Sequence, residues 1–160
     1  MSGAVLLTAR SAPGPTRRGP HGVPGWAEGG NAVTRILVAE DDPDVRDLLV
    51  FKLVQAGYDV TAVGTGQEVL DGAPAVDPQL FLLDVTLPDM TGLQVCAELR
   101  GVAATRDTPV VLLTGRTLES DIAAGRDSGA DDYIFKPFSP RDLVGRIEAL
   151  LAAHGEAPDR

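Results

Sequence analysis

Residues 81–92 read FLLDVTLPDMTG, and this stretch decides the fold that we predict. It begins with large apolar residues that lead directly to the carboxylate of Asp84, which is the pattern of a buried strand ending in an acid. A proline then turns the chain, and Thr91 and Gln94 have the spacing of a capping box at a helix start. An acid at the C-terminal end of a parallel strand faces the crevice in which open α/β sheets bind ligands. Asp84 is therefore the first candidate functional residue.

The same alternation of apolar run and helix start recurs through the chain. The predicted strands cover residues 36–39, 59–63, 80–84, 109–113 and 132–135. The predicted helices cover about residues 43–56, 66–74, 92–101, 118–128 and 140–153. Strands that alternate with helices in this way are typical of a parallel sheet with helices on both faces, joined by right-handed crossovers. The predicted fold class is α/β, a (βα)5 sandwich of three layers.

The N-terminal residues differ in composition from the rest of the chain. Residues 1–33 contain seven glycines and four prolines and show neither a helical nor a strand period, which is typical of disorder. We predict a disordered extension over 1–33, one domain over 34–153 and a flexible tail over 154–160. An upstream start that is not used, with Val33 as the alternative start, and a basic tether for an acidic partner remain open for the extension. The short tail leads us to expect a stand-alone module without a C-terminal output domain.

Composition excludes several classes of protein. The net charge of −9 argues against direct nucleic-acid binding, because phosphate backbones attract basic surfaces. The single cysteine excludes an intrachain disulfide and fits a reducing compartment. No apolar run approaches the ~20 residues that a membrane span needs. We expect a soluble, cytoplasmic protein without membrane insertion.

Polar residues follow four of the five predicted strands. Glu40 and Asp41 follow the first strand, Asp84 ends the third, and Thr114 and Lys136 follow the fourth and fifth. The carboxyl ends of parallel strands meet at one edge of a sheet, so these side chains should converge on one pocket.

The converging residue types suit phosphoryl transfer. Clustered carboxylates need a cation at neutral pH, and oxygen ligands select Mg²⁺ or Ca²⁺. Mg²⁺ is the better fit, because it favours a few carboxylates together with water and phosphate oxygens. The metal and Lys136 would neutralise the phosphoryl oxygens while Asp84 attacks in line.

Four motifs in order carry a resemblance to a known family. They are ILVAEDDP at 36–43, LLDVTLPDMTG at 82–92, LLTG at 112–115 and GADDYIFKPF at 129–138. Over about residues 34–153 the sequence resembles the receiver domains of two-component response regulators. The resemblance implies a flavodoxin-like fold with sheet order 2-1-3-4-5. It also implies a phosphorylated signalling module, not an enzyme.

The resemblance assigns a role to each converging residue. Asp84 looks like the phosphoacceptor, and Glu40 and Asp41 look like the acidic pair that, with Asp84 and the backbone carbonyl of Thr86, holds Mg²⁺. Lys136 looks like the lysine that pairs with the phosphoryl oxygen, and the Lys136–Pro137 bond is implied to be cis.

The same resemblance implies a switch and partners. Thr114 looks like the switch hydroxyl, and Tyr133 looks like the aromatic residue that turns inward behind it. The implied phosphodonor is a sensor histidine kinase or phosphotransfer protein. An unknown output partner would bind the face made by the predicted fourth helix, fifth strand and fifth helix. Thr86 and Arg116 are expected to border the phosphoryl group and influence its lifetime.

Other interpretations were weighed beside these. A Mg²⁺-dependent phosphatase of the haloacid dehalogenase type also uses an aspartate nucleophile, but it wants that nucleophile on the first strand and a second aspartate where Thr86 stands. Asp42 is read as a helix cap, because Asp-Pro is typical of a helix start. Asp89 is expected to be a solvated turn residue, and Cys96 a buried core residue.

Overall fold

The structure is a computed structural model that describes residues 7–9, 33–115 and 129–155 of the chain. Within these ranges the strands are β1 (Leu7–Ala9), β2 (Arg35–Ala39), β3 (Asp59–Val63), β4 (Leu80–Asp84), β5 (Val110–Thr114) and β6 (Asp132–Phe135). The helices are α1 (Pro43–Gln55), α2 (Gly66–Val76), α3 (Gly92–Arg100) and α4 (Pro140–Gly155). The helix predicted over about 118–128 lies outside the described residues. Across the ranges described, none of the helices has the length and apolar character that a membrane crossing requires.

The strands form one sheet in the order β1-β3-β2-β4-β5-β6. Strands β2 to β6 are parallel, and counted from β2 their order is the predicted 2-1-3-4-5, so the predicted fold class is confirmed. Strand β1 pairs antiparallel with β3. The prediction of disorder over 1–33 is therefore wrong for Leu7–Ala9. Three residues that pair through their backbone with a sheet edge need no apolar period, so composition did not reveal them.

Helices cover both faces of the parallel strands. One face packs against α1 and α4, with a core of Ile36, Val38, Leu49, Leu53, Leu143 and Ile147. The other face packs against α2 and α3, with a core of Leu37, Phe81, Leu83, Val69, Val95 and Leu99. Because β2, β4 and β5 are buried on both faces, their sequences are nearly continuous apolar runs. Burial of this apolar surface stabilises the sheet whose edge carries the polar residues.

The helix starts agree with the capping signals in the sequence. Asp42 caps α1 and accepts hydrogen bonds from the backbone of the first turn, Thr65 caps α2, and Thr91 with Gln94 forms the capping box of α3. Helix α2, however, continues through Pro74 to its end at Val76, beyond the predicted end. Pro74 lies on the exposed face of α2, so water can bind the carbonyl that its missing N–H leaves unpaired.

Arg100, the last residue of α3, holds together the segments that lead into β5 and β6. Its guanidinium donates to the carbonyl oxygens of Thr108 at 2.6 Å and Gly129 at 2.8 Å, and to a carboxylate oxygen of Asp131 at 2.9 Å. The same carboxylate oxygen accepts the N–H of Val110 at 2.8 Å. This network fixes the start of β6, the strand that ends next to Lys136.

Replacing Arg100 by methionine should lower the free energy of unfolding by about 2 kcal/mol. The substitution keeps the apolar stem but removes a charged donor from several carbonyl oxygens, and hydrogen bonds to charged groups contribute ~1.5–3 kcal/mol. Arg146→Met is the matched control. Arg146 pairs with Asp132 and Asp142 at the surface, so its loss should cost less than about 1 kcal/mol. Urea unfolding of both variants tests this; equal losses would contradict it.

Candidate functional site

The predicted polar residues lie together at the carboxyl edge of the parallel sheet. Asp84 and Thr114 are the last residues of β4 and β5, while Glu40 and Lys136 directly follow β2 and β6. Asp84, Glu40 and Thr114 are buried, whereas Asp41 is exposed at the rim. The structure therefore brings these side chains to one place, as the alternation of strands and helices predicted.

Lys136 bridges the two buried acids. Its Nζ atom lies 2.7 Å from Oδ2 of Asp84 and 3.2 Å from Oε1 of Glu40. The side chains of Asp84 and Glu40 are 3% and 1% exposed, so water contributes little to their solvation. Charges removed from water are costly unless they are paired and hydrogen-bonded. The ammonium group of Lys136 therefore stabilises a pair of carboxyl groups that would otherwise repel each other.

The backbone binds the remaining oxygen of each acid. The N–H of Thr86 donates to Oδ1 of Asp84 at 2.8 Å, and the N–H of Asp42 donates to Oε2 of Glu40 at 3.1 Å. Each carboxyl group is thus held on one side by Lys136 and on the other by an amide two residues along the chain. This leaves both groups in one defined orientation at the edge of the sheet.

Three acids at this edge could hold a metal ion. Ligand oxygens of Glu40, Asp41 and Asp84 all lie within 4.8 Å of one another. The donors are all carboxylate oxygens, which suits a hard cation such as Mg²⁺.

Burial changes the protonation of these groups. Desolvation, followed by a hydrogen bond and charge repulsion from Asp84, raises the pKa of Glu40 from 4.5 to about 7, although the amide of Asp42 and the charge of Lys136 oppose the rise. Desolvation lowers the pKa of Lys136, but the hydrogen bonds and charges of Asp84 and Glu40 outweigh it and raise that pKa above 10.5. Lys136 therefore stays charged, while the two acids compete for a proton near neutral pH.

The two predicted switch residues lie on one side of the sheet. Tyr133 is half-buried and packs against the core between the sheet and helices α2 and α3. Thr114 is two residues beyond Leu112, which belongs to the same core and lies opposite Tyr133 in the sheet. Since side chains alternate along a strand, Thr114 points to the face that Tyr133 covers. The carbonyl of Thr114 also accepts the N–H of Lys136 at 2.7 Å.

The turn after Asp84 is closed tightly by Gly92. The N–H of Gly92 donates to the carbonyl of Val85 at 2.9 Å, and Thr86 forms a single bridge with Thr91. A Cβ atom on Gly92 would collide with the carbonyl oxygen of Asp84 and would lie 3.0 Å from its carbonyl carbon. The sequence analysis treated Gly92 only as part of a helix start. Its close approach to the backbone of Asp84 becomes visible only in three dimensions.

Asp89 is a second residue whose role was missed. Its carboxylate accepts the N–H groups of Gly66 and Gln67, each at 2.8 Å, and so binds the N-terminus of α2. Desolvation raises its pKa, but these backbone hydrogen bonds outweigh it and lower the pKa. The expectation of a solvated turn residue is therefore wrong, although the side chain is exposed. The free N–H groups that begin every helix were the available signal, but the sequence does not show which acid reaches them.

Two further expectations have different outcomes. The Lys136–Pro137 bond is cis, as the resemblance implied. Arg116, expected to border the phosphoryl group with Thr86, lies outside the described residues.

Glu40→Gln should change how stability depends on pH. Because the folded-state pKa of Glu40 is about 7 against an ordinary 4.5, folding takes up a proton between these values. The stabilisation is present at low pH and lost as the pH rises through about 7. Glutamine stays neutral, so the variant should match the wild type near pH 5. It should be more stable near pH 8, by at most roughly 3 kcal/mol at ~1.4 kcal/mol per pKa unit.

Urea unfolding in metal-free buffer across this pH range measures the effect. Glu98→Gln, at an exposed glutamate in α3, is the matched control and should run parallel to the wild type. A Glu40→Gln curve that also runs parallel to the wild type would contradict the shifted pKa.

Gly92→Ala and Gly72→Ala should change stability in opposite directions. At Gly92 the new methyl group meets backbone atoms of Asp84, which cannot move cheaply, so we expect a loss of about 1–3 kcal/mol. At Gly72, inside α2, nothing lies within 4 Å, so alanine should add about 0.5–1 kcal/mol through its helix propensity. Thermal unfolding compares the two. A Gly92→Ala variant as stable as the wild type would show that the turn is not tightly packed.

Comparison with known proteins agrees with this geometry. Residues 36–148 match the family model of the response regulator receiver domain. The chain is 41% identical over 124 residues to the DNA-binding response regulator MtrA of Mycolicibacterium smegmatis, covering 78% of this chain and 53% of that protein. It therefore spans about half the length of the curated relatives that it matches.

Solved structures give the same result. A putative response regulator from Chloroflexus aurantiacus has a TM-score of 0.73 and 34% identity, covering 76% of this chain and 99% of the other. The BeF3-activated N-terminal receiver domain of Klebsiella pneumoniae RstA has a TM-score of 0.69 and 32% identity, covering 74% and 98%. With the family model matching most of its length, this chain belongs to the response regulator receiver domain family of two-component signalling.

Proposed function

We propose that Asp84 is the phosphoacceptor of this receiver domain and that its phosphorylation controls the binding of a protein partner. The observation that carries the proposal is the buried Asp84 carboxylate, held 2.7 Å from the ammonium group of Lys136 and next to Glu40 and Asp41. A buried acid paired with a lysine beside further acids suits acceptance of a group that is itself strongly negative.

The chemical step is a transfer between a donor and Asp84. A carboxylate oxygen of Asp84 attacks phosphorus, the bond from phosphorus to the donor nitrogen breaks, and a mixed anhydride forms. The N–H of Thr86 orients the carboxylate through Oδ1, at 2.8 Å. Lys136, which already lies against Asp84, pairs with the negative charge that the phosphoryl oxygens bring to the site.

Mg²⁺ is the proposed metal at this edge. The oxygen-only donors of Glu40, Asp41 and Asp84 lie close enough to share one ion, and the backbone carbonyl of Thr86 is the proposed further ligand. When bound, a Mg²⁺ ion neutralises carboxylate and phosphoryl charge without taking part in proton transfer.

Thr114 and Tyr133 are the proposed switch. Both lie on the same side of the sheet, and Thr114 ends the strand next to Asp84. A phosphoryl group on Asp84 would offer acceptor oxygens to the Thr114 hydroxyl, and the space this hydroxyl vacates is next to the side of Tyr133. Phosphorylation would then shift a pre-existing equilibrium at the surface formed by β6, α4 and the predicted helix over about 118–128.

The proposed phosphodonor is the phosphohistidine of a sensor histidine kinase or phosphotransfer protein. Membership of the receiver family supports this donor class. The output partner is proposed to be another protein. The MtrA relatives are named as DNA-binding regulators, whereas the negative charge of this chain disfavours direct DNA contact by the receiver itself. A cytoplasmic location is part of the proposal, and the buried, unpaired thiol of Cys96 fits a reducing compartment.

The phosphatase alternative gains no support. The family of this chain generally signals, and the metal-binding acids Glu40 and Asp41 precede the nucleophile on an earlier strand.

Phosphorylation with a small acyl-phosphate donor tests the proposal. Wild-type protein with Mg²⁺ should gain one phosphoryl group by intact mass, and Asp84→Asn should gain none, because the amide is not nucleophilic. Asp41→Asn should label at least about tenfold more slowly at limiting Mg²⁺, because a metal ligand is weakened. Asp47→Asn, at an exposed acid of α1, is the matched control and should label like the wild type. Equal labelling of wild type and Asp84→Asn, or labelling that survives removal of Mg²⁺ by a chelator, would contradict the proposal.

A further inference from the structure

The N-terminal strand β1 covers one edge of the sheet. It pairs antiparallel with β3, with Leu7 opposite Ala62, Thr8 opposite Thr61 and Ala9 opposite Val60. The receiver family model begins at residue 36, so this strand lies outside the part of the chain that the family describes.

The hydrogen bonds at this edge can be assigned from the other side of β3. The N–H of Asp59 donates to Thr34, and the carbonyl of Val63 accepts from Glu40, both toward β2. Since backbone groups alternate in direction along a strand, Val60 and Ala62 direct their N–H and C=O groups away from β2 and toward β1. Val60 therefore exchanges hydrogen bonds with Ala9, and Ala62 with Leu7.

Without β1 this edge would be well suited to pairing with another strand. The sequence of β3 is DVTAV, with one charge at its start, no proline and no lysine. Charged residues, proline and bulges are the devices that usually keep an edge strand from associating. Strand β1 also shows that the flanking helices leave room for a further antiparallel strand at this edge.

Covalent connection favours β1 as the occupant in the full chain. Residues 10–32 link β1 to the domain and keep it at an effective concentration on the order of millimolar, which dilute competitors do not reach. Yet β1 provides only two residues that exchange hydrogen bonds with β3. Such a short strand can be displaced or removed without taking any core residue with it.

We infer that the outer edge of β3 is a strand-acceptor site whose resident ligand is the segment Leu7–Ala9, and that loss of this segment lets the edge pair with a second copy of the chain. Antiparallel pairing of β3 with its own copy obeys a two-fold axis, the symmetry of most dimers. With Thr61 opposite its symmetry mate, Val60 of one copy exchanges hydrogen bonds with Ala62 of the other. The self-association of the chain is then set by its N-terminal segment and does not depend on phosphorylation of Asp84.

Hydrogen exchange with proline variants tests the resident strand. Ala9→Pro removes the N–H that reaches Val60, whereas Thr8→Pro removes an N–H that points away from β3 and is the matched control. In wild type and Thr8→Pro the amides of Val60 and Ala62 should be protected. In Ala9→Pro at high dilution their protection should fall by at least about tenfold, because an open edge exchanges without a structural opening step. Unchanged protection in Ala9→Pro would overturn the assignment.

Sedimentation of a variant lacking residues 1–32 tests the self-pairing. The wild type should stay monomeric, and the shortened chain should form a dimer whose Val60 and Ala62 amides are protected at high concentration. A synthetic peptide of residues 4–12 should return the dimer to monomer, and the same peptide carrying Ala9→Pro should not. Circular dichroism confirms that the shortened chain is folded. A folded, shortened chain that stays monomeric, or a dimer that the peptide leaves intact, would overturn the inference.

Discussion

The ammonium group of Lys136 lies 2.7 Å from Asp84 and 3.2 Å from Glu40, and the geometry of the site depends on this three-residue contact. The two acids come from strands β4 and β2 and the lysine follows β6, so the contact spans the parallel sheet. Both acids are buried, and neither could stay charged there without the lysine. The sheet places the three groups, and their charges in turn determine what the pocket can accept: a cation beside the acids and a negative group beside the lysine.

The rest of the structure keeps these groups in register. The amide of Thr86 holds one oxygen of Asp84, and Gly92 allows the following helix to begin against the backbone of that aspartate. Asp89, in the same loop, binds the N-terminus of α2 and ties the loop to the neighbouring helix. On the other side of the pocket, Arg100 fixes the segment that leads into β6 and so the position of Lys136. A group added to Asp84 therefore meets a rigid pocket, in which Thr114 and Tyr133 are the proposed moving parts.

Sequence reasoning reached the parallel sheet, its strand order and the convergence of acids, threonine and lysine, because each rests on local patterns that a parallel sheet translates into position. It did not reach Asp89, whose partners on α2 lie far away in the chain. Nor did it reach Arg100, which binds backbone carbonyls that have no sequence identity. Strand β1 was missed because backbone pairing at an edge leaves no apolar period to read. In each case the determining contact is between a side chain or strand and distant backbone atoms.

The most direct test of the central claim is to identify the residue that carries the phosphoryl group. A mixed anhydride on an aspartate is reduced by borohydride to homoserine, whereas a carboxylate, a phosphoserine and a phosphothreonine are not. The protein would be phosphorylated in the presence of Mg²⁺, reduced, digested and sequenced by mass spectrometry. The pocket geometry predicts homoserine at position 84 alone. Homoserine at another aspartate, or an unmodified Asp84 in protein whose intact mass shows that it was phosphorylated, would contradict the role assigned to the contact between Lys136, Asp84 and Glu40.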